Sequence, residues 1–327
     1  MAPSVDLGFL EEAEPWRLLS AQFPSKVGGK PAWLSQKGPP SLPELECEKC
    51  RLPMAFLLQV YAPISGEDRS FHRTLFLFCC KTCECYTCND SSCMKVFRCQ
   101  LPRKNEFYPY DPPSEDEPPS GPEPDQRVLS VSGIRLCWVC GCPGNKACSR
   151  CHAVNYCGKH HQTLHWKTTH KRECCTPEAS IVTTSSFLFP ESELVIEPEE
   201  EEEEEDTKEA EEEKEGEDSL AETDLEEMAM HDNQDHKVFQ QFKKRIRPEP
   251  HQVVRYSRGG SPPVGLLQAH PFRSGYPISG SPLCVDTTGD SIDWGTLVVY
   301  TCSASCDHDD QYCPEFIWKQ DFSSEPT

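Results

Sequence analysis

The densest chemistry of the 327-residue chain lies between Cys137 and Cys174, where soft ligands arrive in four pairs. Their order is Cys137-x2-Cys140, Cys148-x2-Cys151, Cys157-x3-His161 and His170-x3-Cys174. A Cys-x2-Cys turn sets two thiolates on one side of a tight knuckle, and a three-residue gap in a helix sets two groups on one face, one turn apart. Eight such ligands make two tetrahedral zinc sites. Interleaving the pairs would brace the short segment against itself, so Cys137, Cys140, Cys157 and His161 are expected to hold one ion. Cys148, Cys151, His170 and Cys174 are expected to hold the other. Protein fills all four positions of each, which leaves no place for a reactive water, and both sites are read as structural. Cys142, His165 and Cys175 are the spare candidates.

The remaining cysteines raise the same question. Of 21 in all, nine lie between Cys47 and Cys99, eight between Cys137 and Cys175, and four between Cys284 and Cys313. Residues Met1 to Gly8 show no basic stretch leading into an apolar one, and no apolar run approaches the ~18 residues of a membrane span. The expectation is an intracellular chain with reduced thiols, in which metal rather than disulfides uses the cysteines. Cys47-x2-Cys50 forms a third knuckle, completed by Cys80 and by Cys83 or Cys85, and one further zinc is expected there. Near the C-terminus, Cys302 and Cys306 would need Cys284 or Cys313, and half a site is missing.

These ligands need elements to hold them, and the composition limits what those can be. With 36% hydrophobic residues and 30 prolines, the chain is expected to form several small cores instead of one large one. The net charge is -22, yet residues 191–227 alone carry 22 acidic side chains against Lys208 and Lys214. The folded parts are therefore close to neutral, and the low pI belongs to one solvated run. Two linkers are expected to be disordered: the Pro-rich segment 111–130 and the acidic run 190–230, both with too little apolar surface to offset ordering entropy. The Pro-rich linker predicts weak coupling between what precedes and follows it.

Between these linkers the chain is expected to hold an N-terminal β-rich segment over 1–110, a zinc finger over 131–178 and a C-terminal β-rich segment over 236–327. Apolar, aromatic-rich runs at Leu57 to Tyr61 and Leu75 to Phe78 suit short buried strands. The two β-rich segments share a weak repeat: Lys26-Val27-Gly28-Gly29, Thr74 to Cys80 and Val96 to Gln100 find counterparts, in order, in Ser257-Arg258-Gly259-Gly260, Thr296 to Cys302 and Phe316 to Gln320. This alignment sets Cys80 opposite Cys302. The fold expected is thus α+β, made of β-rich small zinc-stabilised domains with the finger inserted between two related segments.

The finger resembles a MYND zinc finger through its ligand order together with Tyr156-Cys157, Gln162, Trp166, His170-Lys171 and Cys174. It differs in having His161 where many such fingers carry Cys, and one extra residue between Trp166 and His170. Its flanks resemble the programmed cell death protein 2 family: Gly8-Phe9, Pro24 to Gly29, Gln59-Val60-Tyr61, Gln100 to Asn105, Arg255-Tyr256 and Asp293-Trp294-Gly295. The resemblance implies a protein of nucleus and cytoplasm that escorts a newly made small-subunit ribosomal protein. Older descriptions of the family imply regulation of transcription, proliferation or cell death. Where the family carries a further cysteine knuckle, residues 265–288 hold only Cys284, so the C-terminal repeat is read as incomplete.

Three function classes follow. Catalysis is not expected, since no phosphate-cradling glycine loop occurs and the zinc ligands leave no Cys-His nucleophile. DNA or RNA binding would draw on the finger's net charge of +5 over residues 137–175 and on Lys243-Lys244-Arg245. Protein binding is favoured. Trp138, Tyr156 and Trp166 offer the rigid aromatic area of a peptide groove for proline-rich peptides or corepressors, or fill the space between the two zincs. A basic ribosomal protein suits the acidic run by charge.

Overall fold

The computed structural model describes residues 5–119, 128–129, 131–176, 186–199, 249, 251–257, 268–269, 296–306 and 309–321. Residues 1–198 and 253–327 make one compact unit and 199–252 a second, of which four residues are described. Most of the acidic run (200–230) and part of the Pro-rich linker (120–127 and 130) lie outside the described residues, as does Cys284.

The first unit is built on strands. They are β1 (Val5–Glu11), β2 (Lys26–Val27), β3 (Ala55–Tyr61), β4 (His72–Cys79), β5 (Met94–Leu101), β6 (Lys146–Ala147) and β7 (Asn155–Tyr156), followed by β8 (Ser192–Pro198), β9 (Val254–Ser257), β10 (Gln268–Ala269), β11 (Thr296–Tyr300) and β12 (Cys313–Gln320). Ten of them form one sheet in the order β10-β11-β12-β5-β4-β3-β2-β8-β1-β9. The pairings are antiparallel. Every residue of β4 is buried and nearly every residue of β3 and β5, which is why Ala55 to Leu58 and Leu75 to Cys79 read as continuous apolar runs, although His72, Arg73, Arg98 and Gln100 are buried as well.

Several polar groups inside this core bond to the backbone around them. Gln59 on β3 accepts from the Ala32 amide at 2.9 Å and donates to Pro24 O at 3.0 Å, and Arg73 on β4 donates to Ala62 O at 3.1 Å. The β3–β4 register shifts between Phe56 and Leu58, and the carbonyl of the bulged Leu57 accepts from Gly28 at 2.8 Å. Gly28 has φ +67°, and a Cβ there would lie 1.8 Å from Pro190 O. Only glycine lets the chain cross so close.

Three corrections follow. First, residues 192–198 belong to a strand, not to a disordered acidic run. Leu194 is buried, and β8 lies between β1 and β2. Its acidic neighbours are held: Glu191 pairs with the buried Lys26, and Glu193 with Arg17 at 3.3 Å. Second, the two β-rich segments share one sheet, since β12 pairs with β5 and β9 with β1.

The third concerns coupling. The fully buried Trp33 stacks on Phe76 and Phe78, and its indole N–H donates to Gly141 O, inside the finger, at 2.8 Å. Gly141 has φ +71° and packs against Lys30, whose ammonium lies 5.7 Å from the Trp138 ring centroid. The finger leaves after β5 and returns its chain to the sheet at β8. It is tied to the N-terminal segment by packing as well as by the linker.

Helix is scarce. The finger holds α1 (Lys159–His165) and α2 (Lys171–Glu173), with a π-helical turn from Trp166 to His170 between them. No helix among the described residues is long and apolar enough to cross a membrane.

Candidate metal centres

The finger's first four ligands come from three elements. Cys137 and Cys140 sit on a knuckle, Cys157 follows β7, and His161 lies in the first turns of α1. Their donor atoms all fall within 4.8 Å of one another, and all four residues are buried. Cys137 Sγ is 3.6 Å and Cys157 Sγ 3.0 Å from His161 Nδ1, and Cys140 Sγ is 3.9 Å from Cys157 Sγ. Cys148, Cys151, His170 and Cys174 form the second group. Here Cys151 Sγ lies 3.5 Å from His170 Nε2 and Cys148 Sγ 4.0 Å from Cys174 Sγ.

Zn–S and Zn–N bonds of about 2.3 and 2.0–2.1 Å at tetrahedral angles place sulfurs about 3.8 Å apart, and sulfur and nitrogen about 3.5 Å apart. The observed spacings, apart from the close Cys157–His161 contact, lie near those values, so the donors fit zinc. The thiols are already unequal. Burial alone would raise Cys148, but hydrogen bonds from the Cys151 amide, His170 and the Arg150 amide outweigh it and hold the thiol at about 6. In the first site burial pushes Cys140 well up, while hydrogen bonds to Cys140, Cys157 and His161 draw Cys137 well down despite its burial. Zinc uptake deprotonates the remaining thiols and releases their protons.

The extra residue between Trp166 and His170 has a structural counterpart. One inserted residue widens a helix locally into a π turn, and that turn spans Trp166–His170. Thr168 Oγ1 donates to the carbonyls of Leu164 at 3.1 Å and His165 at 3.3 Å. The insertion is absorbed upstream of His170, whose imidazole still reaches Cys151.

Tyr156 is 0% exposed and its hydroxyl lies 3.0 Å from His165 Nδ1. It fills the core between the two groups and can touch no partner, so it leaves the set of groove aromatics. His165 is no ligand either: its ring stacks between Trp138 and His170 at 5.5 and 5.0 Å. Trp138 and Trp166 are half-buried, and Trp138 borders a shallow cavity of about 130 Å³ with Arg135, Leu136 and Val154. Cys142 is buried and donates to Cys140 O at 3.8 Å, and Cys175 is exposed beside Cys174.

Outside the finger, Cys47, Cys50, Cys80 and Cys85 form a third group with donor atoms within 4.8 Å, and Cys83 stands outside it. Cys302 and Cys306 lie 3.6 Å apart and belong to no such group among the described residues. Composition could not choose between Cys83 and Cys85. The 3-10 turn Cys83–Cys85 decides, by burying Cys85 and leaving Cys83 half-exposed.

The comparisons with known proteins cover both regions. The family described as "Programmed cell death protein 2, N-terminal domain" matches residues 4–115 and "MYND finger" matches residues 137–174. Programmed cell death protein 2 of Bos taurus is 45% identical over 347 residues, and that of Mus musculus 43% over 343 residues, each covering 98% of both chains. At least 20 positions of the bovine alignment face gaps in this 327-residue chain. Ubiquitin carboxyl-terminal hydrolase 17 of Arabidopsis thaliana is 45% identical over 49 residues, 7% of its length, a likeness that carries no hydrolase activity to this chain. No solved structure matches the chain.

Proposed function

Because the chain belongs to the programmed cell death protein 2 family, whose bovine and mouse members it matches nearly end to end, we propose that it is a non-catalytic escort of a basic small-subunit ribosomal protein, active in cytoplasm and nucleus. Two zincs hold the finger, and the finger serves as a protein-interaction module. The observation that carries this reading is the separation of charge: 19 acidic residues against two lysines in residues 199–227, which account for most of the chain's net charge of -22. Ribosomal proteins carry basic extensions that aggregate when unshielded, and a dense acidic run screens them without needing a defined shape.

The test replaces residues 199–227, the part beyond β8, and co-expresses each variant with basic small-subunit proteins. An unrelated sequence of equal length and acidity should keep the client soluble, and a Gly/Ser linker should not. Raised salt should weaken the effect, since the Debye length falls from about 10 Å at 0.1 M to about 3 Å at 1 M. Equal soluble yields from both replacements would reduce the run to a tether.

A second reading, a regulator that binds corepressors or DNA through the finger, rests on a different observation. Lys146, Arg150, Lys159, Lys167, Lys171 and Arg172 are exposed, and none pairs with a carboxylate among the described residues. Charge reversal at Lys167 and Lys171 separates the two: it should abolish nucleic-acid retention if this reading holds and leave client solubility unchanged if the first one does.

A further inference from the structure

Three Cys-x2-Cys knuckles of this chain share one backbone design. In each, the residue after the second cysteine takes a left-handed conformation and donates its amide to the carbonyl of the first. Gly141 (φ +71°) donates to Cys137 O, His152 (φ +54°) to Cys148 O and Arg51 (φ +61°) to Cys47 O, each at 2.9 Å. A left-handed arginine or histidine is strained, so the surroundings must fix it. Two of these knuckles carry the finger's ligand groups. The third, Cys47 to Arg51, lies outside the finger, in the turn before β3.

From this we infer that Cys47, Cys50, Cys80 and Cys85 form a third structural metal site, an all-thiolate one that takes zinc. Cys47, Cys80 and Cys85 are 0%, 1% and 4% exposed, and Cys50 Sγ lies 3.6 Å from Cys80 Sγ. Four buried or half-buried sulfurs converging within 4.8 Å serve no packing purpose that apolar side chains would not serve better. Protein groups support the sulfurs from outside. The Thr82 amide donates to Cys80 Sγ at 3.4 Å, and Lys49, paired with Asp90 at 2.8 Å, donates to Cys85 O at 2.7 Å.

The placement explains what the ion does. Cys80 follows the last residue of β4, Cys47 and Cys50 precede β3, and Ala55 pairs with Cys79 across the two strands. The ion therefore closes one end of the β3–β4 pair, where Cys85 begins the return to β5. A tetrahedral four-sulfur set suits zinc or iron, and zinc is the ion assigned. It is independent of what the finger binds.

The full-length protein, purified without chelator, should carry three zincs by native mass spectrometry and elemental analysis. Cys80→Ser should lower the count to two and Cys83→Ser should leave it at three. In the cobalt-substituted protein, Cys80→Ser should reduce the sulfur-to-cobalt charge-transfer absorption by about 40%, as bound thiolates fall from ten to six. The wild-type count stands even where a variant misfolds. Two zincs in the wild type, two zincs with one iron, or a loss of metal in Cys83→Ser would overturn the assignment.

Discussion

The two related hairpins of the sheet, β4–β5 and β11–β12, each run into a cysteine, Cys80 and Cys302, but the turns that follow are held differently. After β4, four sulfurs gather. After β11, Cys302 and Cys306 are the sulfurs that meet among the described residues, and an ion pair adds to the hold. Arg98 of β5 and Glu315 of β12 pair with side chains 3% and 8% exposed, and the turn hangs from them. The Cys302 amide donates to Glu315 Oε2 at 3.1 Å and Arg98 Nη1 donates to Cys306 O at 3.1 Å. The second hairpin's turn thus takes part of its order from a residue of the first.

The sheet faces differ in the same sense. Trp33 covers Phe76 and Phe78, whereas Tyr300, Phe316 and Trp318, on the continuation of that face, are 37%, 62% and 40% exposed. The first half is closed by the four sulfurs and by a covering tryptophan, and the second is left open among the described residues.

Metal removal should break this comparison most severely. Structural zinc contributes roughly 10 to 16 kcal/mol of apparent binding free energy in finger peptides. Chelation should therefore abolish the cooperative thermal transition of the full chain, as followed by circular dichroism. A transition that survives chelation would show that the sulfur groups are ornaments on a self-sufficient sheet.

Next in size is the contrast between the two faces. Phe78→Ala, at a fully buried ring, should cost about 3–5 kcal/mol in urea unfolding. Phe316→Ala, on the open face, should change stability by about 0.5 kcal/mol or less. Similar costs would mean that the second face is covered in solution.

The clamp offers a test of comparable or smaller size. Arg98→Ala leaves Glu315 buried without its partner and should cost about 3 kcal/mol, with faster amide exchange across residues 300–306. Replacing both residues by methionine should restore most of the stability but not the slow exchange of the Cys302 amide, which has lost its acceptor. Unchanged exchange in Arg98→Ala would free the second hairpin from the first.

The smallest effect is acid sensitivity seated in the first half. His72 on β4 is buried among Phe23, Phe71 and Tyr108, with its Nδ1 3.0 Å from the Tyr61 hydroxyl. Burial, helped by the charge of Arg103, lowers its pKa to about 4. A folded pKa below the usual 6.5 favours the neutral ring, so its contribution is complete above pH 6.5 and fades as pH falls towards 4. His72→Phe should reduce the loss of melting temperature between pH 6.5 and 4.5. An identical pH profile would place the acid sensitivity elsewhere.

Local chemistry was legible in the sequence, and long-range placement was not. Knuckle spacing names the finger's eight donors, because ligand geometry is fixed by a few residues at a time. The repeat is visible too, but its register is not. Aligning Cys99 with Lys319 predicts pairing one residue out of step, since Thr74 pairs with Cys99 while Thr296 pairs with Gln320. A slip of one residue exchanges the two faces of a strand, so the exposed Trp318 could not be told from the buried Ile317. Charge also misled. Three glutamates beside Leu194-Val195-Ile196 looked like the start of the acidic run, and only the vacant seat between β1 and β2 makes that segment a strand.

The contact of Trp33 with Gly141 joins residues 108 positions apart and has no local signal. It carries the central claim, that finger and N-terminal sheet fold as one unit. Amide exchange of full-length Cys137→Ser tests that most directly, because the substitution removes a ligand from the knuckle that holds Gly141. Exchange should quicken in β3, β4 and β5 as well as in the finger. Finger amides that exchange freely while β3, β4 and β5 keep wild-type protection would contradict it.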